Sequence, residues 1–71
     1  MELSARNQLV GRVKSVKKDG LMAEVVVDIG GQELVSVITA SSAKRLGLKK
    51  GLRVAAVIKA TEVMIATPHG G

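Results

Sequence analysis

The stretch Leu21-Met22-Ala23-Glu24-Val25-Val26-Val27-Asp28-Ile29, followed by Gly30-Gly31 and then Glu33-Leu34-Val35-Ser36-Val37-Ile38-Thr39, decides the fold. In its first half Leu21, Ala23, Val25, Val27 and Ile29 take one parity, and Met22, Glu24, Val26 and Asp28 take the other. Period two over this length predicts a half-buried strand, because successive side chains leave opposite faces of the backbone. In the second half Leu34, Ser36 and Ile38 alternate with Glu33, Val35 and Val37. The two glycines between them supply a turn, so 21–39 reads as an antiparallel hairpin.

Working outward, Lys18-Asp19-Gly20 is a tight-turn signal that closes an earlier strand over 9–18. In that strand Leu9 and Val13 share a parity while Val10 and Val16 take the other, with Gly11 interrupting. A flat strand cannot bury both pairs, so a bulge or strong bend is expected, and the glycine places it near Gly11. After the hairpin, Thr39-Ala40-Ser41-Ser42-Ala43-Lys44-Arg45-Leu46-Gly47 changes character. Hydroxyls at the front and Gly47 at the end predict a short helix over 41–46 with N-cap and C′ signals. Lys44 and Arg45 fall in its last turn, where the macrodipole favours cations. Lys49-Lys50-Gly51 is a further turn. Val54, Ala56 and Ile58 then alternate with Arg53, Ala55, Val57 and Lys59 in a fourth strand, and 63–67 reads as a fifth. Pro68-His69-Gly70-Gly71 reads as a loose tail behind a single domain of residues 1–67.

This order predicts an all-β fold: a five-stranded OB-type barrel with one short helix between strands 3 and 4. A small barrel of the SH3 type is the nearest rival, but it has no natural place for the 41–46 helix. In an OB barrel the first strand pairs antiparallel with the fourth. The start of the first strand, Ser4 to Asn7, then lies beside the end of the fourth, Lys59 to Thr61.

Composition points to assembly. The chain has 71 residues, 46% of them apolar, with no cysteine and no Phe, Tyr or Trp. A domain of this size buries only about 60% of its unfolded-state surface. Without disulfides or aromatic side chains, oligomerisation is the expected way to add burial, the alternative being a marginal monomer. No apolar run approaches the roughly 20 residues of a membrane span, and no basic segment followed by an apolar run marks a secretory signal. A cytoplasmic location is expected.

The chemistry the residues can do is narrow. The single histidine is His69, in the Pro/Gly tail, which leaves a hydrolytic triad without a base. The six acidic residues are scattered, so no metal-ligand cluster is expected, and Gly30-Gly31 has no phosphate-loop frame around it. Neither catalysis nor a cofactor is expected. With 11 basic residues, a formal charge of +5 and a pI near 10.1, the chain attracts anions. Single-stranded nucleic acid is the macromolecular candidate, yet such sites stack bases on aromatic side chains, and this chain has none.

A small anion fits better. Ser4, Arg6 and Lys59 offer a hydroxyl, a guanidinium and an ammonium, and the barrel topology makes neighbours of the two stretches that carry them. The hydroxyls of Thr39, Ser41 and Ser42 cluster where the helix begins. Ordinary capping needs only one of them.

Ser4-Ala5-Arg6-Asn7-Gln8-Leu9 with Gly11, Ala23-Glu24-Val25, Ile38-Thr39 with Ser42, Leu48 with Gly51, and Val57 through Ala66 (VIKATEVMIA) together resemble the molbindins, small molybdate-binding proteins of the Mop/TOBE family. The likeness covers 1–67. It implies an OB-type barrel assembled as a homohexamer, a trimer of dimers, that stores molybdate or tungstate in the cytoplasm with oxyanions held between subunits. Carried over by motif, Ser4, Arg6 and Lys59 with backbone N–H groups near Ala5 and Ala60 would line one side of a site. Thr39 and Ser42 of the neighbouring chain would close the other. The resemblance also implies a second kind of anion site near the symmetry axis. The competing class is a basic OB-type interaction module that binds nucleic acid or regulates an oxyanion transporter.

Overall fold

Strand β1 (Asn7–Asp19) is long enough to serve two neighbours in succession, and that property organises the chain. Its second half, from Arg12 to Asp19, pairs antiparallel with β2 (Met22–Asp28), and its first half, from Asn7 to Arg12, pairs antiparallel with β4 (Arg53–Ile58). Strand β2 also pairs with β3 (Glu33–Thr39), giving the order β3-β2-β1-β4. The structure, a computed structural model, describes residues 6–68.

The hairpin of β2 and β3 follows the alternation of its sequence. Ala23, Val25 and Val27 are buried and face the half-buried Ile38, Ser36 and Leu34 across the ladder. Val13, Val25 and Val27 form the centre of the core, with Val16, Ile29, Leu34, Ile38, Leu48, Leu52 and Val54 packed around them. Backbone bonds from Val13 N–H to the Leu52 carbonyl and from Gly51 N–H to the Val13 carbonyl tie the approach to β4 onto β1 and hold the sheet in its curl.

The turn after β2 is fixed by Asp28. Its Oδ1 accepts from the N–H groups of Gly30 (2.9 Å) and Gly31 (3.2 Å), and both glycines have φ above +90°. Those two backbone donors, with Lys14 nearby, hold the Asp28 carboxyl below its ordinary pKa. Lys14 in turn is hydrogen-bonded and ion-paired with Glu33 on β3, which raises its pKa. Both partners are exposed, so the pair contributes little to stability.

The irregularity expected in the first strand is present but lies elsewhere. The register of β1 against β2 shifts between Val13 and Ser15, not at Gly11. The extra residue, Lys14, brings Val13 and Val16 to the same inner face despite their opposite parity. Gly11 has a different task. A Cβ there would come 2.2 Å from the Asp28 carbonyl oxygen and 2.9 Å from Val27 Cγ1. Glycine is required because two backbones approach closely, not because the strand bulges.

Helix α1 (Ala40–Arg45) starts one residue earlier than expected and lies between the third and fourth strands. Thr39 is its N-cap, and Gly47 follows its end with φ +66°. It buries Ala43 and packs on β2 and β3.

The fifth strand is the main difference. Strand β4 ends at Ile58, and the chain enters a 3₁₀ turn over Ala60–Glu62, closed by Glu62 N–H bonding the Lys59 carbonyl. Residues 63–67 continue without joining the sheet. A ladder needs a partner edge as well as the right side chains, and the turn carries this segment away from the strand before it. Met64 and Ile65 are consequently 91% and 89% exposed. Meanwhile the gap between the two edge strands β3 and β4 is an apolar groove of about 610 Å³ lined by Leu34, Ile38, Leu48, Leu52, Val54 and Ile58 among others. The expected tail from Pro68 onward falls, apart from Pro68, outside the described residues. No helix among the described residues is long and apolar enough to cross a membrane.

Candidate functional site

The residues singled out in the sequence fall into two groups that the sheet register locates. In the first, Asn7 faces Ile58 across the β1–β4 ladder, so Arg6 and Lys59 leave the sheet at one corner. Both side chains are exposed, and among the described residues neither is engaged in an ion pair. Lys59 precedes the 3₁₀ turn with φ −67° and ψ 137° and makes no side-chain capping bond. Among the described residues, no side chain caps the backbone N–H groups at the start of that turn, Ala60 among them. Ser4 and Ala5 lie outside the described residues.

In the second group the hydroxyls of Thr39, Ser41 and Ser42 are bonded to one another. Thr39 Oγ1 accepts from Ser42 N–H at 3.1 Å and donates to Ser42 Oγ at 2.7 Å, and it lies 3.3 Å from Ser41 Oγ. Arg45 Nη2 approaches Ser42 Oγ at 3.4 Å. The sequence presented Arg45 as a helix-terminal cation, and its contact with Ser42 was legible only as an i,i+3 spacing.

Among the described residues, the register sets Arg6 beside Lys59, the helix start gathers Thr39, Ser41 and Ser42, and the two groups fall at opposite ends of β1. Thr39 pairs with Met22, which pairs with Asp19 at the far end of β1, whereas Asn7 is at the near end. Twelve residues of β1 separate the two levels along the chain. Each corner is rich in donors and free of carboxylate among the residues assigned to it, and neither is a complete cage.

Donor-rich corners on an OB-like curled sheet with one short helix suit a binding module, and similarity to known proteins gives its family. The chain belongs to the TOBE-domain family, which matches residues 3–65. It is 50% identical over 66 residues to molybdenum-pterin-binding protein 1 of Clostridium pasteurianum, covering 92% of this chain and 97% of that protein. Among solved structures it is similar to a molybdate-binding protein from Sporomusa ovata, at 42% identity and a TM-score of 0.90, covering 94% of this chain and all of the other. It is also similar to the cytoplasmic molybdate-binding protein ModG in its molybdate-bound form, at 43% identity and a TM-score of 0.80. That match covers 84% of this chain and 43% of ModG. These relatives are named as binding proteins.

Proposed function

We propose that this protein binds molybdate or tungstate as the intact oxyanion, at subunit interfaces of a cytoplasmic homo-oligomer, and so stores or buffers it. The observation that carries the interface is the separation of the two donor groups along β1. One chain offers Ser4, Arg6, Lys59 and the N–H groups near Ala5 and Ala60 at one end, and Thr39 and Ser42 at the other. Setting the Arg6–Lys59 corner of one chain against the helix start of another brings both donor groups onto one anion.

The donor set supports an oxyanion over a bare cation, since hydroxyls, a guanidinium, an ammonium and backbone N–H groups suit oxygen acceptors and offer a metal ion no anionic ligand. A pterin would call for a stacking platform, and the sequence contains no aromatic side chain apart from His69. Assembly is supported by the exposed Met64 and Ile65 and by the open groove between β3 and β4. Contiguous apolar surface of this kind marks a contact region in a stable protein. A homohexamer, as a trimer of dimers, is the assembly proposed.

Native mass spectrometry with and without molybdate tests both parts together, because it reports subunit and anion counts in one spectrum. Six chains with bound molybdate is the expected result. A 7.4 kDa monomer that retains an oligonucleotide, and shows no mass shift with molybdate, would replace this function with that of a nucleic-acid-binding module.

A further inference from the structure

Around Ser42 the hydrogen bonds have a direction. Thr39 Oγ1 gives its proton to Ser42 Oγ and receives the Ser42 N–H, and Ser41 Oγ stands 3.3 Å from its remaining lone pair. A hydroxyl oxygen has one proton and two lone pairs. On Ser42 Oγ, one lone pair takes the Thr39 proton and the other faces Arg45 Nη2 at 3.4 Å. What remains to Ser42 is its own O–H, since Thr39 Oγ1 has its proton and both lone pairs engaged.

We propose that Arg45 is a specificity-determining positioning residue: by occupying a lone pair of Ser42 Oγ, it keeps that hydroxyl a donor and aims its proton at the oxyanion. The inference rests on the proposal that Ser42 donates to the bound oxyanion, and it adds a reason for selectivity. A serine hydroxyl ordinarily switches between donor and acceptor at little cost. Were Ser42 free to switch, it could accept the O–H that phosphate retains at neutral pH, and the site would tolerate protonated anions. With both lone pairs committed it can only donate, which favours anions that carry no proton. A guanidinium suits this role because it never deprotonates and has no acceptor to offer in return.

The test is a set of competition titrations at pH 7 on the intact assembly, with molybdate, sulfate and inorganic phosphate as probes. It uses the wild type, Arg45→Ala and Ser42→Ala, with apo melting curves to show that each variant folds. In Arg45→Ala, molybdate and sulfate affinity should fall by about threefold to tenfold, the scale of one ordinary hydrogen bond. Phosphate affinity should stay level or rise, so the molybdate-to-phosphate ratio falls. In Ser42→Ala all three should weaken together and the ratio should hold, because alanine supplies no acceptor. If Arg45→Ala weakens all three anions by the same factor, Arg45 acts only through its charge and the inference is overturned. If it changes none of them, the inference is likewise overturned. If Ser42→Ala binds molybdate as tightly as the wild type, the failure lies in placing Ser42 at the site.

Discussion

Asn7 lies opposite Ile58 in the β1–β4 ladder, and that single pairing makes neighbours of Arg6 and Lys59, 53 positions apart in the chain. Two cations at one sheet corner, with no ion pair to a carboxylate among the described residues, repel each other unless an anion sits between them. Replacing either should therefore cost binding. Arg6→Ala and Lys59→Ala are expected to weaken molybdate by about tenfold or more, as loss of a charge-assisted hydrogen bond does. Lys49→Ala and Lys50→Ala, in an exposed turn, should change it by less than about twofold, since solvent and salt screen them. Isothermal titration of the four variants decides it, and equal losses across all four would reduce the site to a diffuse field.

Interface sites should complement in trans. Arg6→Ala and Ser42→Ala chains each lack one half of the site. In a mixed assembly, some interfaces pair the intact Arg6 corner of one variant with the intact Ser42 corner of the other. Mixing the two after dissociation and reassembly should restore a fraction of wild-type-affinity sites. No recovery in a confirmed mixed oligomer would place both halves within one chain.

The wild-type site should reject phosphate. No side chain assigned to it offers a free acceptor, since Ser4, Arg6, Lys59 and Ser42 donate and Thr39 Oγ1 has its proton and lone pairs engaged, whereas phosphate near neutral pH keeps at least one O–H that needs an acceptor. Burying that group without a partner costs about 1–3 kcal/mol, or roughly tenfold to a hundredfold in affinity. Competition at pH 7 should show molybdate displaced far less readily by phosphate than by sulfate. Equal displacement would mean that a carboxylate such as Glu62, or a backbone carbonyl, lines the site.

Gly11→Ala should destabilise the fold. Its Cβ would stand 2.2 Å from the Asp28 carbonyl oxygen, an atom of the neighbouring strand's backbone that cannot rotate away. Opening the strands enough to relieve this costs about 1–3 kcal/mol, in the range of overpacking. Gly20→Asn is the control: φ there is +61°, no atom stands within 4 Å, and asparagine tolerates the left-handed region. Thermal melts should show a clear loss for the first variant and a small one for the second.

Asp28 should shape the acid limb of stability. Its carboxyl is held below the usual value of 3.8 by the N–H groups of Gly30 and Gly31, then by Lys14. A folded-state pKa lower than the unfolded one contributes stability that is complete above the unfolded value and is lost as pH falls through the folded value. Asp28→Asn should accordingly melt lower than the wild type at pH 7. The gap should narrow below about pH 4, where the wild-type carboxyl protonates as well. A gap that stays constant down to pH 2 would show that Asp28 acts through shape alone.

The local features could be read directly because they depend on neighbours in the chain. The β2–β3 hairpin followed from alternation over 21–39, and the helix from its hydroxyls and Gly47. The β1–β4 pairing followed from the order of elements. The bulge was expected because Val13 and Val16 have opposite parity, but glycine drew it to Gly11. Parity shows that one extra residue is needed somewhere between two inward positions. It does not show which residue carries the bulge, and only the packing of β2 against β1 placed Lys14 there. The strand expected at 63–67 failed for a related reason: its side chains suit a strand, but a strand exists only against an edge.

By itself, then, the sequence determined the all-β character, the hairpin, the capped helix and the donor chemistry of Arg6, Lys59, Thr39 and Ser42, each set by residue type and short-range spacing. The tertiary structure added the register that sets Asn7 opposite Ile58, and it placed Thr39 of β3 level with the far end of β1. It also decided that Arg45 reaches Ser42 Oγ, and that the 63–67 segment and the groove between β3 and β4 both remain open. The physical reason is that register and chain direction after a turn are set by packing and long-range ladder pairing, neither of which a run of residues contains.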